Sequence, residues 1–143
     1  MMPYIQISIP GQPIAKARPR FARRGKFVTT YSPQATEEGL WIMTAREQIQ
    51  KAGVFFNGDI YLEVEFYLKR PKSHFNKKGI LKPSAPISPT GKPDLSNMLK
   101  FIEDVLNECF VWRDDSQIVG VEARKKYGAT PITEVFISDE PRF

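Results

Sequence analysis

The chain has 143 residues, of which 41% are hydrophobic and 26% charged, with a net charge of +5 and a pI of about 9.4. This length fits one compact domain over residues 1–143. The single cysteine, Cys109, excludes an internal disulfide, and the single histidine, His74, excludes a histidine-rich zinc site, so any bound metal needs oxygen ligands. The sequence has neither a signal-peptide pattern nor the roughly eighteen apolar residues of a membrane span. We therefore expect a cytoplasmic protein that does not bind membranes.

The basic residues are concentrated in two segments, 1–36 and 69–92, which together hold 13 of the 21 lysines and arginines and none of the 16 acids. Segregation of this kind is typical of a surface that binds a polyanion. Prolines among the basic residues argue against a membrane-binding amphipathic helix. Two solvated loops with a chance charge bias would give the same pattern. Of these alternatives we favour a nucleic-acid partner.

The first half of the chain predicts a strand, a basic segment without regular structure, and a helix. Alternating isoleucines after Tyr4 indicate a short strand, which ends at Pro10–Gly11. Residues 12–26 are basic and interrupted by proline, which predicts a loop or irregular edge, and 26–30 predict a short strand. Ser32–Pro33 is a helix-start pattern, and we expect that helix to continue to Ala52 and to end at Gly53.

The second half predicts a strand over 59–69, with Glu63 and Glu65 solvated on its polar side. Residues 70–93 contain five prolines and no periodicity, which indicates a long functional or mobile loop. A helix over 94–108 buries apolar side chains spaced three and four apart. Two strands follow, over 117–126 and 133–138, separated by a turn at 128–131. The order β-(β)-α-β-α-β-β predicts a single small α+β domain, with two main helices on a mixed sheet.

Three pieces of sequence suggest hydrolysis of a phosphodiester: KPDLSN at 92–97, Lys100, and WRDDSQIV at 112–119. Such a reaction needs an activated water and neutralisation of charge on the attacking and leaving oxygens. Mg²⁺ supplies both and prefers carboxylate ligands, which Asp94, Asp114 and Asp115 offer. Each piece also has a structural explanation. Asp94 can cap the helix, the paired aspartates can form a turn, and Lys100 can pair with Asp104.

In this order and spacing, the pieces resemble the core signature of the RusA family of Holliday junction resolvases, commonly encoded by prophages. IPGQPIAKARPRF near the N-terminus and FYLKRPK at 66–72 resemble the phage branch of that family, so the likeness covers most of the chain. The resemblance implies a small α+β subunit that acts as a homodimer on branched DNA, the four-way junction. It also implies a Mg²⁺ cofactor, for which Mn²⁺ can substitute.

The resemblance implies roles for individual residues. Asp94 corresponds to the first metal-binding aspartate, Asp115 to the aspartate after the helix, Lys100 to the lysine needed for cleavage, and Asn97 to the asparagine of the motif. Ser96 stands where the family usually has a second aspartate. Its hydroxyl can coordinate weakly but carries no charge, so Asp114 is a possible substitute ligand. The phosphate-contacting residues that we expect are Lys16, Arg18, Arg20, Arg70, Lys72 and Lys92.

The sequence leaves two questions open. A helix over 94–108 is about 22 Å long, so Asp94 and Asp115 can share a metal only if the following residues run back along it or if two subunits meet. The change to Ser96 also allows a junction-binding protein with weak or no cleavage, in place of an active, structure-selective endonuclease. A partner-binding adaptor without DNA affinity fits the charge segregation poorly.

Overall fold

The computed structural model describes residues 4–17, 20–25, 27–31 and 34–141. Its elements in chain order are β1 (Tyr4–Pro10), β2 (Arg20–Arg24), β3 (Phe27–Tyr31), α1 (Ala35–Ala52), β4 (Ile60–Leu68), α2 (Leu95–Asn107), β5 (Ile118–Tyr127) and β6 (Ile132–Ser138). Single 3₁₀ turns lie at Lys72–His74 and Asp115–Gln117. Of β2 and β3 only the backbone is described, and none of the described helices is long and apolar enough to cross a membrane.

The main sheet has four strands in the order β1-β6-β4-β5. β6 is antiparallel to both β1 and β4, whereas β4 and β5 are parallel. The sheet is therefore mixed, and together with α1 and α2 it confirms the predicted α+β domain. Because β4 and β5 are parallel, the chain between them must cross over, and this crossover contains both the long loop over 70–93, here called the basic loop, and α2.

The core lies between the sheet and the two helices. Every second residue of β4 from Ile60 to Leu68 is buried, as the alternating apolar pattern predicts. α2 contributes the buried side chains Met98, Phe101, Ile102, Val105 and Leu106. α1 is joined to α2 through Trp41, whose ring meets that of Phe101 edge-on at 5.2 Å between centroids. α2 is thereby fixed by its apolar face, and its opposite face is left for solvent.

Most predicted boundaries are confirmed within two residues, but the basic segment over residues 12–26 is more ordered than expected. Residues 20–24 form a regular strand that pairs antiparallel with Phe27–Tyr31, so the predicted loop or irregular edge over 12–26 is wrong there. Gly25, with φ 62°, makes the turn between them. The predicted helix start, Ser32–Pro33, lies outside the described residues, and α1 begins after Gln34. Gly53 ends it in the left-handed conformation, as predicted.

Glu63 and Glu65 are not solvated, contrary to our expectation. Only 16% and 19% of their side chains are exposed, because β4 is an inner strand and Arg124 of β5 extends across both carboxylates. Glu65 also accepts a hydrogen bond from the hydroxyl of Tyr67, and this bond, together with burial and the nearby negative charge, raises the pKa of Tyr67 to about 12. An alternating strand pattern identifies the second face but cannot show whether a neighbouring strand covers it.

The two helices offer a matched test of this packing. Leu106 is fully buried, whereas 59% of Leu40 on α1 is exposed. We expect Leu106→Ala to lower the free energy of unfolding by about 3–5 kcal/mol, because it removes buried methyl groups and leaves a cavity. Leu40→Ala changes the same quantity by less than about 0.5 kcal/mol. Urea denaturation of both variants measures the difference, and equal losses would contradict the assigned helix faces.

Candidate active site

The WRDDSQ turn is held in place by Gln117. Its side-chain oxygen accepts hydrogen bonds from the backbone N–H groups of Arg113 (2.8 Å) and Asp114 (3.0 Å). Its side-chain nitrogen donates to the carbonyls of Phe56 (2.9 Å) and Gly58 (3.0 Å). One amide thus ties the turn before β5 to the segment before β4.

The two neighbouring aspartates of this turn differ in what their carboxylates do. Asp114 caps the turn by accepting from the backbone N–H of Ser116 at 3.1 Å, and the hydrogen bonds from Ser116 lower the pKa of Asp114. The structural explanation therefore applies to Asp114. The exposed carboxylate of Asp115 instead faces α2, where its Oδ2 lies 3.5 Å from Nδ2 of Asn107.

Asn107, the last residue of α2, orients Asp115 and was missed by the sequence reasoning. Its side-chain oxygen accepts a 2.7 Å hydrogen bond from Nε1 of Trp112, which fixes the amide with its N–H group toward Asp115. Trp112 is buried, so the hydrogen bonds that orient Asn107 and Asp115 are anchored in the core. The available signal was spacing: Asn107 is eleven residues after Ser96, which places both on one helix face.

Glu103 is a second missed residue on the same face. Burial raises the pKa of its carboxyl, and the nearby negative charges of Asp115 and Asp104 raise it further. Two acids close enough to perturb one another are costly without a cation, and such perturbed groups concentrate at functional sites. Glu103 and Asp115 therefore form an acidic end of the α2 surface.

Asp94 lies at the other end of α2, at its N-cap position. Its side chain makes no capping hydrogen bond, so the helix-cap explanation fails here. Its carboxylate instead contacts the Lys92 ammonium at 3.0 Å, and both groups remain substantially exposed. Lys125 of β5 holds this segment by donating to the carbonyls of Gly91 (2.8 Å) and Pro93 (3.0 Å). Lys125 was also missed, because its partners are backbone atoms distant in sequence.

Lys100 lies between the two ends. Ser96, Lys100, Glu103 and Asn107 follow one another at helical spacings of four, three and four residues and so share a face of α2. Lys100 is exposed and makes no ion pair with any described residue. Asp104, its proposed partner in the structural explanation, contacts Lys16 at 3.0 Å instead. The α2 polar face (Ser96, Lys100, Glu103 and Asn107) thus presents an ammonium that no described carboxylate neutralises, one turn from the acid Glu103.

The structure does not bring Asp94 and Asp115 together within one chain. Asn107 is thirteen residues after Asp94, about 20 Å along the helix axis, and Asp115 is anchored at Asn107. Oxygen ligands of one divalent cation lie within about 2.0–2.6 Å of it, so these two carboxylates cannot share an ion in this arrangement. Among the described residues, no three acids, histidines or cysteines are grouped to hold a metal. The donor chemistry at each end fits a hard cation, but one chain offers only part of a site.

The predicted phosphate-contacting residues divide into four groups. Lys72 and Lys92 are exposed. Lys16 binds Glu38 and Asp104 of its own chain, and the hydrogen bond that its ammonium donates to Glu38, together with the charges of both acids, raises its pKa. Arg70 is half-buried against Tyr127. Arg18 and the side chain of Arg20 lie outside the described residues.

The environment of Glu103 predicts a pH-dependent stability. A carboxyl with a raised pKa in the folded state stabilises the protein below its ordinary value of 4.5 and loses that contribution as pH rises through the folded-state value. We expect Glu103→Gln to be more stable than the wild type at neutral pH, with the difference vanishing in acid. Glu47→Gln, on the exposed surface of α1, serves as the control. Thermal unfolding from acid to neutral pH measures the stability of both variants and of the wild type. A Glu103→Gln variant that is less stable than the wild type at neutral pH would contradict the described environment.

Comparison with known proteins gives two matches, each of which covers most of the chain. Over 146 residues the chain is 29% identical to the uncharacterized protein YqaN of Bacillus subtilis (strain 168). The alignment covers 96% of this chain and 98% of YqaN. The family model of endodeoxyribonuclease RusA matches residues 10–138. Proteins of that family are endonucleases that cleave Holliday junctions and generally depend on a divalent metal. This match spans nearly the whole chain, which therefore belongs to the RusA endodeoxyribonuclease family.

Proposed function

We propose that this protein is a metal-dependent endonuclease that cleaves branched DNA, resolving Holliday junctions during recombination and repair. The observation that carries the proposal is the exposed Lys100 on the α2 polar face, which makes no ion pair with any described residue and lies along α2 between Asp94 and Asp115. A purely structural surface would pair this lysine with Asp104, as Lys16 does. An unpaired cation among acids suits a ligand that brings both phosphate and metal.

Each residue then has a defined task. Asp94 and Asp115 hold the metal, preferably Mg²⁺ and alternatively Mn²⁺, which when bound activates water and neutralises charge on the scissile phosphate. Lys100 stabilises negative charge on that phosphate or on the leaving oxygen. Asn107 and Trp112 orient Asp115, and Lys125 holds the backbone before Asp94. The site is thereby supported by rigid neighbours at both ends.

Glu103 supplies the charge that Ser96 does not. Ser96 is exposed at the start of the α2 polar face, and its hydroxyl offers at most a weak ligand. Glu103 lies seven residues later, on the same face, and its pKa is raised in part by Asp115. Asp114 is a poorer substitute, since its carboxylate already caps the turn. We therefore assign Glu103 as the additional acidic ligand beside Asp115.

A two-fold homodimer completes the site. In an isologous interface, a residue of one chain that meets a second residue of the partner is matched by the reciprocal contact. If Asp94 of one chain lies opposite Asp115 of the other, two equivalent sites form, one for each strand to be cut. The separation of these residues along α2 then becomes a feature of the assembly. Exposed lysines of segment 69–92, including Lys72 and Lys92, bind the phosphate backbone around these sites.

The first test separates cleavage from binding. We expect Asp94→Asn and Asp115→Asn each to reduce Mg²⁺-dependent cleavage of a synthetic four-way junction by at least about 100-fold, because the metal supplies several kcal/mol to the transition state. Junction affinity in a gel-shift assay stays equal or rises, since a negative charge near DNA is removed. Asp59→Asn, an exposed aspartate before β4, is the control and retains wild-type activity.

Two outcomes would count against this assignment. Wild-type cleavage by either variant would remove that aspartate from the site. A wild-type protein that binds the junction but does not cut it with Mg²⁺ or Mn²⁺ would favour the second candidate function, a junction-binding protein inactivated through Ser96.

The shared site predicts complementation between inactive variants. When Asp94→Asn and Asp115→Asn proteins exchange subunits, each mixed dimer contains one site with both wild-type aspartates. Cleavage should return to about a quarter of the wild-type number of sites, as single-strand nicks. Replacing either partner by the double variant Asp94→Asn/Asp115→Asn leaves every site defective and abolishes the recovery. Light scattering verifies that dimers form. Mixed dimers without recovered cleavage would place both aspartates in one chain, and an active monomer would overturn the dimer.

A further inference from the structure

A cavity of about 330 Å³ lies beyond the carboxyl ends of β4 and β5, outside the α2 polar face. Lys69, Arg70 and Tyr127 line it from the strand ends, and Phe75 and Leu81 line it from the basic loop. The crevice past the carboxyl ends of parallel strands is a common position for ligand sites, and the volume falls in the range of roughly 300–1,000 Å³ of such sites. The cavity combines flat apolar walls with cationic groups.

The apolar walls are held in place by an ordered loop. Phe75 and Leu81 face each other through an isolated antiparallel bridge. Between them, the side chain of Asn76 accepts hydrogen bonds from the backbone N–H groups of Lys78 (2.9 Å) and Ile80 (3.0 Å). Phe75 and Leu81 nevertheless stay 36% and 45% exposed. Apolar side chains that are fixed but uncovered are ready to receive a flat ligand without a further ordering cost.

Tyr127 and Arg70 form the stacking floor of the cavity. The Arg70 guanidinium lies 4.3 Å from the centroid of the Tyr127 ring and donates to the carbonyl of Pro86 at 2.7 Å. The His74 ring meets Tyr127 edge-on at 5.4 Å. Guanidinium planes and aromatic rings are the groups on which proteins stack unpaired bases.

The surrounding charge indicates an anionic ligand. Segment 69–92 has seven basic residues and no acid. The side chains of Lys69, Lys72, Lys77, Lys78 and Lys82 make no ion pair with any residue in the described part of the chain. A ligand that is flat and apolar in one part and negatively charged in another matches this combination. A nucleotide has both parts, with the base for the cavity and phosphates for the lysines.

We propose that this cavity binds one unpaired nucleobase of the DNA substrate, by stacking against Phe75 and the Arg70–Tyr127 pair, while the flanking phosphates lie on the loop lysines. The proposal rests on the proposed function, since it requires DNA binding. Tyr127 is two residues beyond Lys125, about 7 Å along β5, and Lys125 holds the carbonyls just before Asp94. A base held here places its strand beside the Asp94 end of the site, and duplex DNA with all bases stacked cannot use the cavity.

The test compares DNA with and without unpaired bases. We expect Phe75→Ala to weaken binding of single-stranded DNA, and of a four-way junction with one unpaired base at its branch point, by about 5- to 150-fold, the usual range for one base–aromatic stack. Affinity for a blunt duplex of equal length stays unchanged. Phe75→Trp retains the binding. The matched controls are Ile87→Ala, in the same loop with 90% exposure, and Phe110→Ala, an aromatic with 72% exposure elsewhere on the surface.

A 2-aminopurine at the unpaired position provides a direct readout, because its fluorescence reports stacking on protein groups. If wild-type protein binds no DNA, the proposed function fails, and this proposal fails with it. If it binds DNA but Phe75→Ala leaves single-strand affinity unchanged, or lowers duplex affinity equally, only the base pocket is overturned. Binding of a polyglutamate peptide that depends on Phe75, with single-stranded DNA unaffected, would assign the cavity to an acidic protein partner and also overturn it.

Discussion

β4 and β5 run side by side in the same direction, and a tight turn cannot join parallel neighbours. The chain must leave β4 at its carboxyl end and return to the amino end of β5. This crossover contains the basic loop, α2 and the WRDDSQ turn, and with them nearly every residue of the candidate site. The parallel pairing also decides their positions. The segments that leave β4 and β5 gather at one edge of the sheet, and the segments that enter these strands gather at the other, where Gln117 links them.

Among the described residues, charged side chains are paired in the structural parts of the molecule and left uncompensated on the α2 polar face. Arg124 lies across Glu63 and Glu65 on the sheet, and Lys16 joins Glu38 to Asp104 between the N-terminal segment and the helices. In both groups cations and carboxylates satisfy one another. On the α2 polar face, by contrast, Lys100 has no partner among the described residues, and Glu103 has a pKa raised by burial and by neighbouring acids. An arrangement that leaves charge uncompensated contributes little to folding, which is the pattern expected where a ligand completes the electrostatics.

The sequence predicted what depends on local periodicity and missed what depends on distant contacts. The buried face of α2 was predicted from the three- and four-residue spacing of its apolar side chains. The end of α1 was predicted from Gly53, which adopts the left-handed conformation there. Of the β2–β3 hairpin, the sequence predicted a short strand over 26–30 but missed β2, whose five residues show no alternating apolar pattern and pair with β3 in a separate two-stranded sheet. The proposed roles of Asp94, Lys100 and Asp115 come from the family resemblance. Their relation in space depended on where the chain goes after Asn107, which is decided by the hydrogen bonds of Trp112 and Gln117.

The separation of Asp94 from Asp115 has a mechanistic consequence under the proposed function. A chain that carries only part of a metal site is inactive alone, so cleavage depends on assembly of the symmetric pair. Both sites then form in one event and face two strands related by the same axis. Asp115 is held by the neutral Asn107 and Asp94 by a single lysine, and both carboxylates remain substantially exposed. Under this proposal, binding of the metal and the phosphate therefore contributes much of the free energy that holds the two chains' parts of the site together. An enzyme built in this way has little capacity to cut DNA as a monomer, because each chain alone lacks a complete site.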